Sequence, residues 1–400
     1  MSVAANPSAG HVAGKTTLSV IVAVSICHCI NDVMQSLLSA IYPILKESYD
    51  LDYVQIGLLT LTFQCVASLL QPAIGIYTDK RPLPYSLPVG MVSSLIGLII
   101  LGFAQTYWLL LVGSAFVGLG SAIFHPESSR VARLASGGRH GLAQSLFQVG
   151  GNAGSAIGPL LAAFVVLPRG QWSISLFAIG SLVGIFILWR VGRWYAEHRR
   201  ANAGKAPAST ALIFDKRTTF FALAVLTILT LTKNAYMASL SSYYTFFLID
   251  KFQVDVQDAQ LLLFVYLGAS ALGVFMGGPI GDRFGAKFVI WFSILGVLPF
   301  TLALPYADFQ WTVILTVIIG LIFSSAFSAI VVFAQELMPG RVGMIAGIFF
   351  GFAFGAGGIA AAALGALADV TSIQHVFWIT SFLPLAGLLT IFLPKMDKVR

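Results

Sequence analysis

The stretch Gly75-Ile76-Tyr77-Thr78-Asp79-Lys80-Arg81 ends one long apolar run, and Gly278-Pro279-Ile280-Gly281-Asp282-Arg283 ends another 203 residues later. In both, an acid followed at once by a base stands four residues after a glycine. Recurrence at half the chain length says that the chain is two copies of one design. A second pair of landmarks agrees: Gly138-Arg139-His140-Gly141-Leu142 and Gly340-Arg341-Val342-Gly343-Met344 repeat at an offset of 202. Pro72 has no proline partner at 203, so the copies have diverged. Helical repeats of this kind build central sites that open to either side of a membrane in turn.

The composition demands a membrane. Of 400 residues, 58% are hydrophobic and 10% charged, whereas a soluble domain carries about 25% charge. A window of roughly 20 apolar residues spans the hydrocarbon, and the chain holds twelve: about 17–44, 54–77, 84–104, 107–126, 141–167, 172–192, 218–248, 258–281, 286–305, 310–333, 342–368 and 374–394. The first two of each half are long enough to tilt or to extend past the bilayer. The 39 glycines and 16 prolines suit closely packed, kinked membrane helices. Cys27, Cys29 and Cys65 all lie in apolar runs, which predicts neither a disulfide framework nor a cysteine metal site.

Charge placement predicts orientation. The even-numbered connections and the two termini hold 19 of the 23 lysines and arginines; the odd-numbered ones hold Lys46, Arg169 and Lys251 against eight acids. Both termini are therefore expected in the cytoplasm. The basic pI expresses this asymmetry and is no nucleic-acid footprint. The expected organisation is all-α: a cytoplasmic tail 1–16, a six-helix bundle 17–192, a basic linker 193–217, a second six-helix bundle 218–394 and a tail 395–400.

These features resemble the major facilitator superfamily. Gly-x-x-x-Asp-Lys/Arg between the second and third helices, repeated between the eighth and ninth, is similar to that family's loop signature. Gly154-Ser155-Ala156-Ile157-Gly158-Pro159 resembles an element of its drug antiporters. More specifically, Phe124-His125-Pro126-Glu127-Ser128-Ser129-Arg130-Val131-Ala132-Arg133, the stretch 239–246 and Gln335-Glu336-Leu337-Met338-Pro339-Gly340-Arg341 resemble the fosmidomycin resistance proteins. The resemblance covers about residues 17–395. It implies a pseudo-symmetric twelve-helix fold and proton-driven export of a phosphonate antibiotic, in a bacterial inner membrane. Many such exporters carry an arginine four residues before the middle glycine of the fourth helix; here, before Gly118, that place is Ser114. Coupling through that arginine is not carried over.

Ionisable side chains within a span cost on the order of 3 kcal/mol each by insertion scales. Two lie deep, Asp32 in the first helix and Lys233 in the seventh, 201 residues apart. Near-equivalence under the repeat places them across the axis, and the expectation is one polar cavity in which they meet directly or through water. His28, Asp32, Gln35, Ser39 and Tyr42 share a face of the first helix, and Lys233, Tyr236, Leu240 and Tyr243 or Tyr244 one of the seventh. Gln144, Gln148 and Asn152 share a face of the fifth, as site residues or as helix-joining hydrogen-bonders. Lys233, Asp32, Tyr236, Tyr243, Gln35, Gln148 and Asn152 are the candidate substrate contacts. Asp32, His28, His125 and Glu127 are the candidates for proton coupling, with His28 equally readable as an orienter of Asp32. Asp79, Lys80, Arg81, Arg130, Arg139, Asp282, Arg283 and Arg341 are the candidate gate. Phe349, Phe350, Phe352 and Phe354 read as packing.

No nucleotide-binding loop, nucleophile elbow or zinc-binding helix motif is present, so no enzyme, cofactor or metal is expected and the proton-motive force supplies the energy. The expected partners are a small-molecule substrate, protons and the lipid bilayer, with the chain a monomer. Uptake of a nutrient, or an uncoupled facilitator or receptor, is also compatible with the scaffold. An anion held beside Asp32 and a proton held on it would reinforce each other, which by linkage favours co-transport over exchange.

Overall fold

The computed structural model describes residues 16–41, 45, 48–51, 53–202 and 212–396. Tyr42, Lys46, the side chains of Ser39 and Phe354, most of the first tail and part of the basic linker lie outside the described set. Among the described residues there is no β-strand. The long helical segments are α1 (Leu18–Ala40), α2 (Tyr53–Lys80), α3 (Ser86–Phe103), α4 (Tyr107–Ala135), α5 (His140–Leu161), α6 (Gln171–Ala201), α7 (Lys216–Phe252), α8 (Val256–Phe284), α9 (Ala286–Tyr306), α10 (Phe309–Leu337), α11 (Val342–Val370) and α12 (Ile373–Phe392). Eleven of them are long and apolar enough to cross a membrane. The exception, α5, is made less apolar by Gln144, Gln148 and Asn152.

Helix ends follow local chemistry. The Asp215, Asp255, Asp308 and Ser372 side chains accept from the backbone N–H three residues on, capping α7, α8, α10 and α12. Thr218 hydrogen bonds hold the exposed Asp215 carboxyl below its ordinary range. At 37 residues, α7 is about 55 Å long, well beyond the roughly 30 Å of hydrocarbon. Breaks occur at residues 295–297 in α9 and 324–325 in α10, and α12 becomes a 3-10 helix over Leu383–Phe392. The sixth helix continues to Ala201, past its expected end at 192, so Arg193, Arg199 and Arg200 belong to its last turns and not to a linker.

Large apolar side chains stand on the outside, among them Trp108, Phe164, Ile179, Phe275 and Ile391, as an apolar solvent permits. Polar residues are drawn inward, the reverse of a soluble globule. In the first half of the chain α1 packs along α5 and α2 against α4; in the second, α7 packs against α11 and α8 against α10. The halves meet along two seams of matching design, α2 on α11 and α8 on α5.

The α2–α11 seam is close because glycines line it. A Cβ at Gly75 would strike the Gly343 carbonyl, and one at Gly347 the Gln71 carbonyl. One at Gly351 would stand 2.9 Å from the Ser68 oxygen. Beyond that point α11 leaves α2: a Cβ at Gly355, Gly357 or Gly358 would meet nothing within 4 Å. The cleft between the halves is thus shut at the end bearing Asp79 and open at the other.

Gly75→Ala should weaken the shut end by about 1–3 kcal/mol, the usual cost of an added methyl against fixed backbone. Spin labels on the exposed positions 80 and 341 should report a longer distance in the variant; an unchanged distribution would count against this seam as the closing contact.

Candidate functional site

His28 and Asp32 stand one turn apart on α1, and Gln35 a further turn on. Gly150, Gly151 and Gly154 of α5 let α1 approach; a Cβ on Gly151 would lie 2.5 Å from the His28 ring and 2.9 Å from an Asp32 oxygen. The glycine cluster of the fifth helix therefore makes room for the polar face of the first. From α4 comes His125. Its Nε2 lies 3.2 Å from His28 Nε2 and 3.7 Å from Asp32 Oδ1, while His28 Nε2 lies 3.4 Å from Asp32 Oδ2. All three are buried.

The far ring nitrogens are anchored to main chain. His28 Nδ1 donates to the Phe147 carbonyl at 2.7 Å and His125 Nδ1 to that of Ser121 at 3.0 Å. Asp32 Oδ1 accepts from Asn31 Nδ2 at 3.1 Å and Gln35 Nε2 at 2.9 Å, and Gln35 Oε1 accepts from Ser121 Oγ at 3.1 Å. Asp32, Gln35, Ser36, Phe63, Gln64 and Ser155 are among the residues lining a cavity of about 160 Å³ beside the cluster.

Lys233 does not join it. The contact expected between Asp32 and Lys233 is not formed: the ionisable partners of Asp32 are the two histidines, and the Lys233 ammonium lies 5.7 and 5.9 Å from the Phe323 and Phe327 ring centres. Phe350 of α11 packs on His125 (ring centres 5.2 Å apart) and on Phe327 (5.3 Å), so an aromatic layer separates cluster from lysine. Both residues are buried, as expected of ionisable groups within a span, but bulky side chains lie between them. Among the described residues Lys233 has no hydrogen bond or ion pair, although it is only 5% exposed. One turn away, the buried Tyr236 hydroxyl also lacks a partner, its ring edge-on to Phe323. Both donors thus stand beside the Phe323 ring without a hydrogen-bond partner among the described residues, a costly arrangement in an apolar interior.

The other expected contacts differ. Tyr243 donates to the Ala361 carbonyl at 2.6 Å, tying α7 to α11, and Tyr244 shares a hydrogen bond with Thr316. Gln144 accepts from Ser129 Oγ at 2.9 Å, a helix-joining bond, whereas Gln148 Oε1 is buried without a partner among the described residues. Asn152 is half-buried. Phe349 and Phe350 are buried and Phe352 is exposed.

The shut end is held by two symmetry-related carboxylates. Asp79 of α2 accepts from Gly343 N at 3.0 Å and Met344 N at 2.8 Å, the first turn of α11. Asp282 of α8 accepts from Gly141 N at 2.8 Å and Leu142 N at 2.9 Å, the first turn of α5. Each half thus caps a helix of the other, with unsatisfied N–H groups and the helix dipole both favouring the anion. Arg130 joins Asp79 (2.6 Å) to Glu127 (3.1 Å), and Ser86 donates to Glu127. His125 belongs to the interior cluster and Glu127 with Arg130 to this lock, so one α4 motif serves two places. Lys80, Arg81, Arg139, Arg283 and Arg341 are exposed around it.

One further bridge escaped notice in the sequence. Arg133 donates to Gln335 Oε1 at 3.2 Å, and Gln335 Nε2 to Ser129 Oγ at 3.1 Å. Arg133 also feels the charge of Glu336, 203 residues on. The repeat offset applied to every charged residue would have found that pair.

A helical chain whose halves cap one another around a central cleft has the architecture of a membrane carrier. The Major Facilitator Superfamily profile matches residues 24–255 and 226–400, and the chain belongs to that superfamily of multi-pass membrane transporters. It is 54% identical to the fosmidomycin resistance protein of Escherichia coli (strain K12), over 98% of each chain. It is 40% identical to the uncharacterized MFS-type transporter YfnC of Bacillus subtilis (strain 168), over 97% of this chain and 95% of that one. Its fold matches the transporter FucP in the outward conformation (TM-score 0.73, 16% identity, 94% and 99% coverage) and the human organic anion transporter MFSD10 (TM-score 0.76, 16% identity, 95% and 100% coverage).

Asp79→Asn removes the charge from the α11 N-terminus and should cost the shut end about 1 kcal/mol, roughly a fivefold change in population. A cysteine at buried position 144, behind the lock, should then react about fivefold faster with a membrane-impermeant maleimide. An unaltered rate would show that the carboxylate does not hold the end closed.

Proposed function

We propose that the chain is a secondary active transporter that exports a small anionic antibiotic, a fosmidomycin-like phosphonate, in exchange for protons by alternating access. In this reading it is a monomer in a bacterial inner membrane, with both termini and the locked end in the cytoplasm. The single observation that carries the anion is that Lys233 and the buried Tyr236 hydroxyl, one helical turn apart, have no hydrogen-bond partner among the described residues. A lysine held in an apolar site without an anion is costly, and a bound phosphonate would relieve it. The 54% identity to a fosmidomycin resistance protein supports the choice of cargo.

Alternating access is supported by the Asp79 and Asp282 locks, which use contacts that must break for the cleft to open at that end. Proton exchange is supported by ionisable groups buried in the α1–α6 half: Asp32, His28 and His125 in the interior and Glu127 in the lock. The aromatic layer of Phe350 and Phe327 weakens the direct attraction between a proton on the cluster and an anion on Lys233. That attraction alone would favour co-transport, so exchange has to act through conformation. Phe350 lies on the same helix as Gly343 and Met344, which gives the cluster a mechanical route to the lock.

Proteoliposomes with an imposed proton gradient test this. Fosmidomycin flux opposed to proton flow is the expected result; flux in the same direction would make the protein a co-transporter, and flux indifferent to the gradient a facilitator. Lys233→Gln should weaken drug affinity about tenfold or more, the value of a charge-assisted hydrogen bond, and Tyr236→Phe by about fivefold. Unchanged affinity in both would remove the anion from this site.

A further inference from the structure

The interior cluster brings two imidazoles and a carboxylate together at separations longer than charge-assisted hydrogen bonds usually show. Both histidines donate through Nδ1 to main-chain carbonyls, so in neutral rings both Nε2 atoms carry lone pairs. These lone pairs face each other and a carboxylate. Three electron-rich groups converge, an arrangement that a shared proton or a metal ion would stabilise. Charge-assisted hydrogen bonds run about 2.7–2.9 Å; the separations here are 3.2, 3.4 and 3.7 Å, too long for a proton to bind all three well.

The same separations suit a metal ion. With Zn–N near 2.05 Å, ligand atoms on a tetrahedron stand about 3.3 Å apart. The carboxylate turns Oδ2 to His28 and Oδ1 to His125, and one ligand atom from each of the three residues lies within 4.8 Å of the others, close enough for a single ion to draw them in. The surroundings match as well. Metal-bound histidines commonly donate their other ring N–H to a backbone carbonyl, and ligating carboxylates are themselves hydrogen-bonded. Here the Phe147 and Ser121 carbonyls fill the first role, and Asn31 and Gln35 the second. Phe124, Phe147 and Phe350 pack around the rings and leave the Asp32 side as the open face.

We propose that His28, Asp32 and His125 form a three-ligand site for a divalent transition metal of the Zn²⁺ class, with a fourth position facing the cavity that Asp32 and Gln35 line. Two imidazoles and one carboxylate suit Zn²⁺ better than the hard cations Mg²⁺ or Ca²⁺. The set carries one negative charge, so a bound dication leaves a single positive charge for an anionic or water ligand to share. Metal binding needs the ligands deprotonated, so ion and coupling proton would exclude each other at these atoms. The site stands on its own geometry, whether or not transport is proton-driven.

Metal-stripped, tag-free purified protein titrated with Zn²⁺ alone should take up one ion per chain in a saturable step. Co²⁺ in its place should give the intense visible bands of tetrahedral coordination. His28→Ala and Asp32→Asn should each weaken Zn²⁺ binding by about 100-fold or more, the upper end of what even supporting residues around a metal contribute. His125→Cys, which offers a thiolate ligand, should retain binding and add a sulfur-to-Co²⁺ charge-transfer band, guarding against loss by misfolding. Lys233→Gln should bind Zn²⁺ as the parent does, and a parent protein that binds Zn²⁺ but carries no drug would sink the export reading alone. No saturable uptake by the parent, or uptake unaltered in Asp32→Asn with no new band in His125→Cys, would overturn the metal site.

Discussion

A carboxylate of each half sits on the first turn of a helix in the other, and this exchange decides how the molecule is arranged. Asp79 on α11 and Asp282 on α5 each satisfy two backbone N–H groups that a helix cannot satisfy itself. The glycines beside them, Gly75 against Gly343 and Gly278 against Gly141, let the backbones come close enough for those bonds to form. With one end drawn together, rigid helices must diverge towards the other. That is where α11 leaves α2 and the cleft opens.

Inside the cleft the governing constraint is the scarcity of water. Every buried polar atom needs a partner, so those without one are informative. On the α1–α6 side, His28, His125, Asp32, Asn31, Gln35 and Ser121 form one connected set. On the α7–α12 side, Lys233 and Tyr236 stand beside Phe323 without hydrogen-bond partners among the described residues. The asymmetry is chemical and not architectural, because the helices bearing the two sets occupy equivalent places. A duplicated scaffold thus carries a histidine–carboxylate set in one half and a lysine–tyrosine pair in the other, with Phe350 and Phe327 between them.

Much of the fold was legible because the bilayer imposes length. Apolar runs near 20 residues marked the helices, and repeated Gly-x-x-x-Asp-Lys/Arg marked the doubling. Local exceptions were harder. The α6 extension to Ala201 is polar and escaped a search for apolar windows, and the breaks in α9 and α10 are smaller than such a window resolves. In the site, helical spacing found His28, Asp32 and Gln35, and the cost of buried charge found Lys233. Spacing also suggested Tyr243, which in fact bonds to the Ala361 carbonyl, because a face does not reveal which neighbour a hydroxyl meets.

The sequence by itself determined the membrane class, the doubling and the identity of the buried ionisable groups, since hydropathy, periodicity and charge are properties of single segments. Only the tertiary structure decided which groups meet. His125 was read with Glu127 and Arg130, two and five residues on. Its side chain instead turns to His28, 97 positions away, because successive helix positions face different neighbours. Asp32 and Lys233, matched by the repeat, are kept apart by aromatic rings that no offset could foresee. Pairing in a helical membrane protein depends on rotation and close packing between helices, and those are fixed only when all the helices are in place.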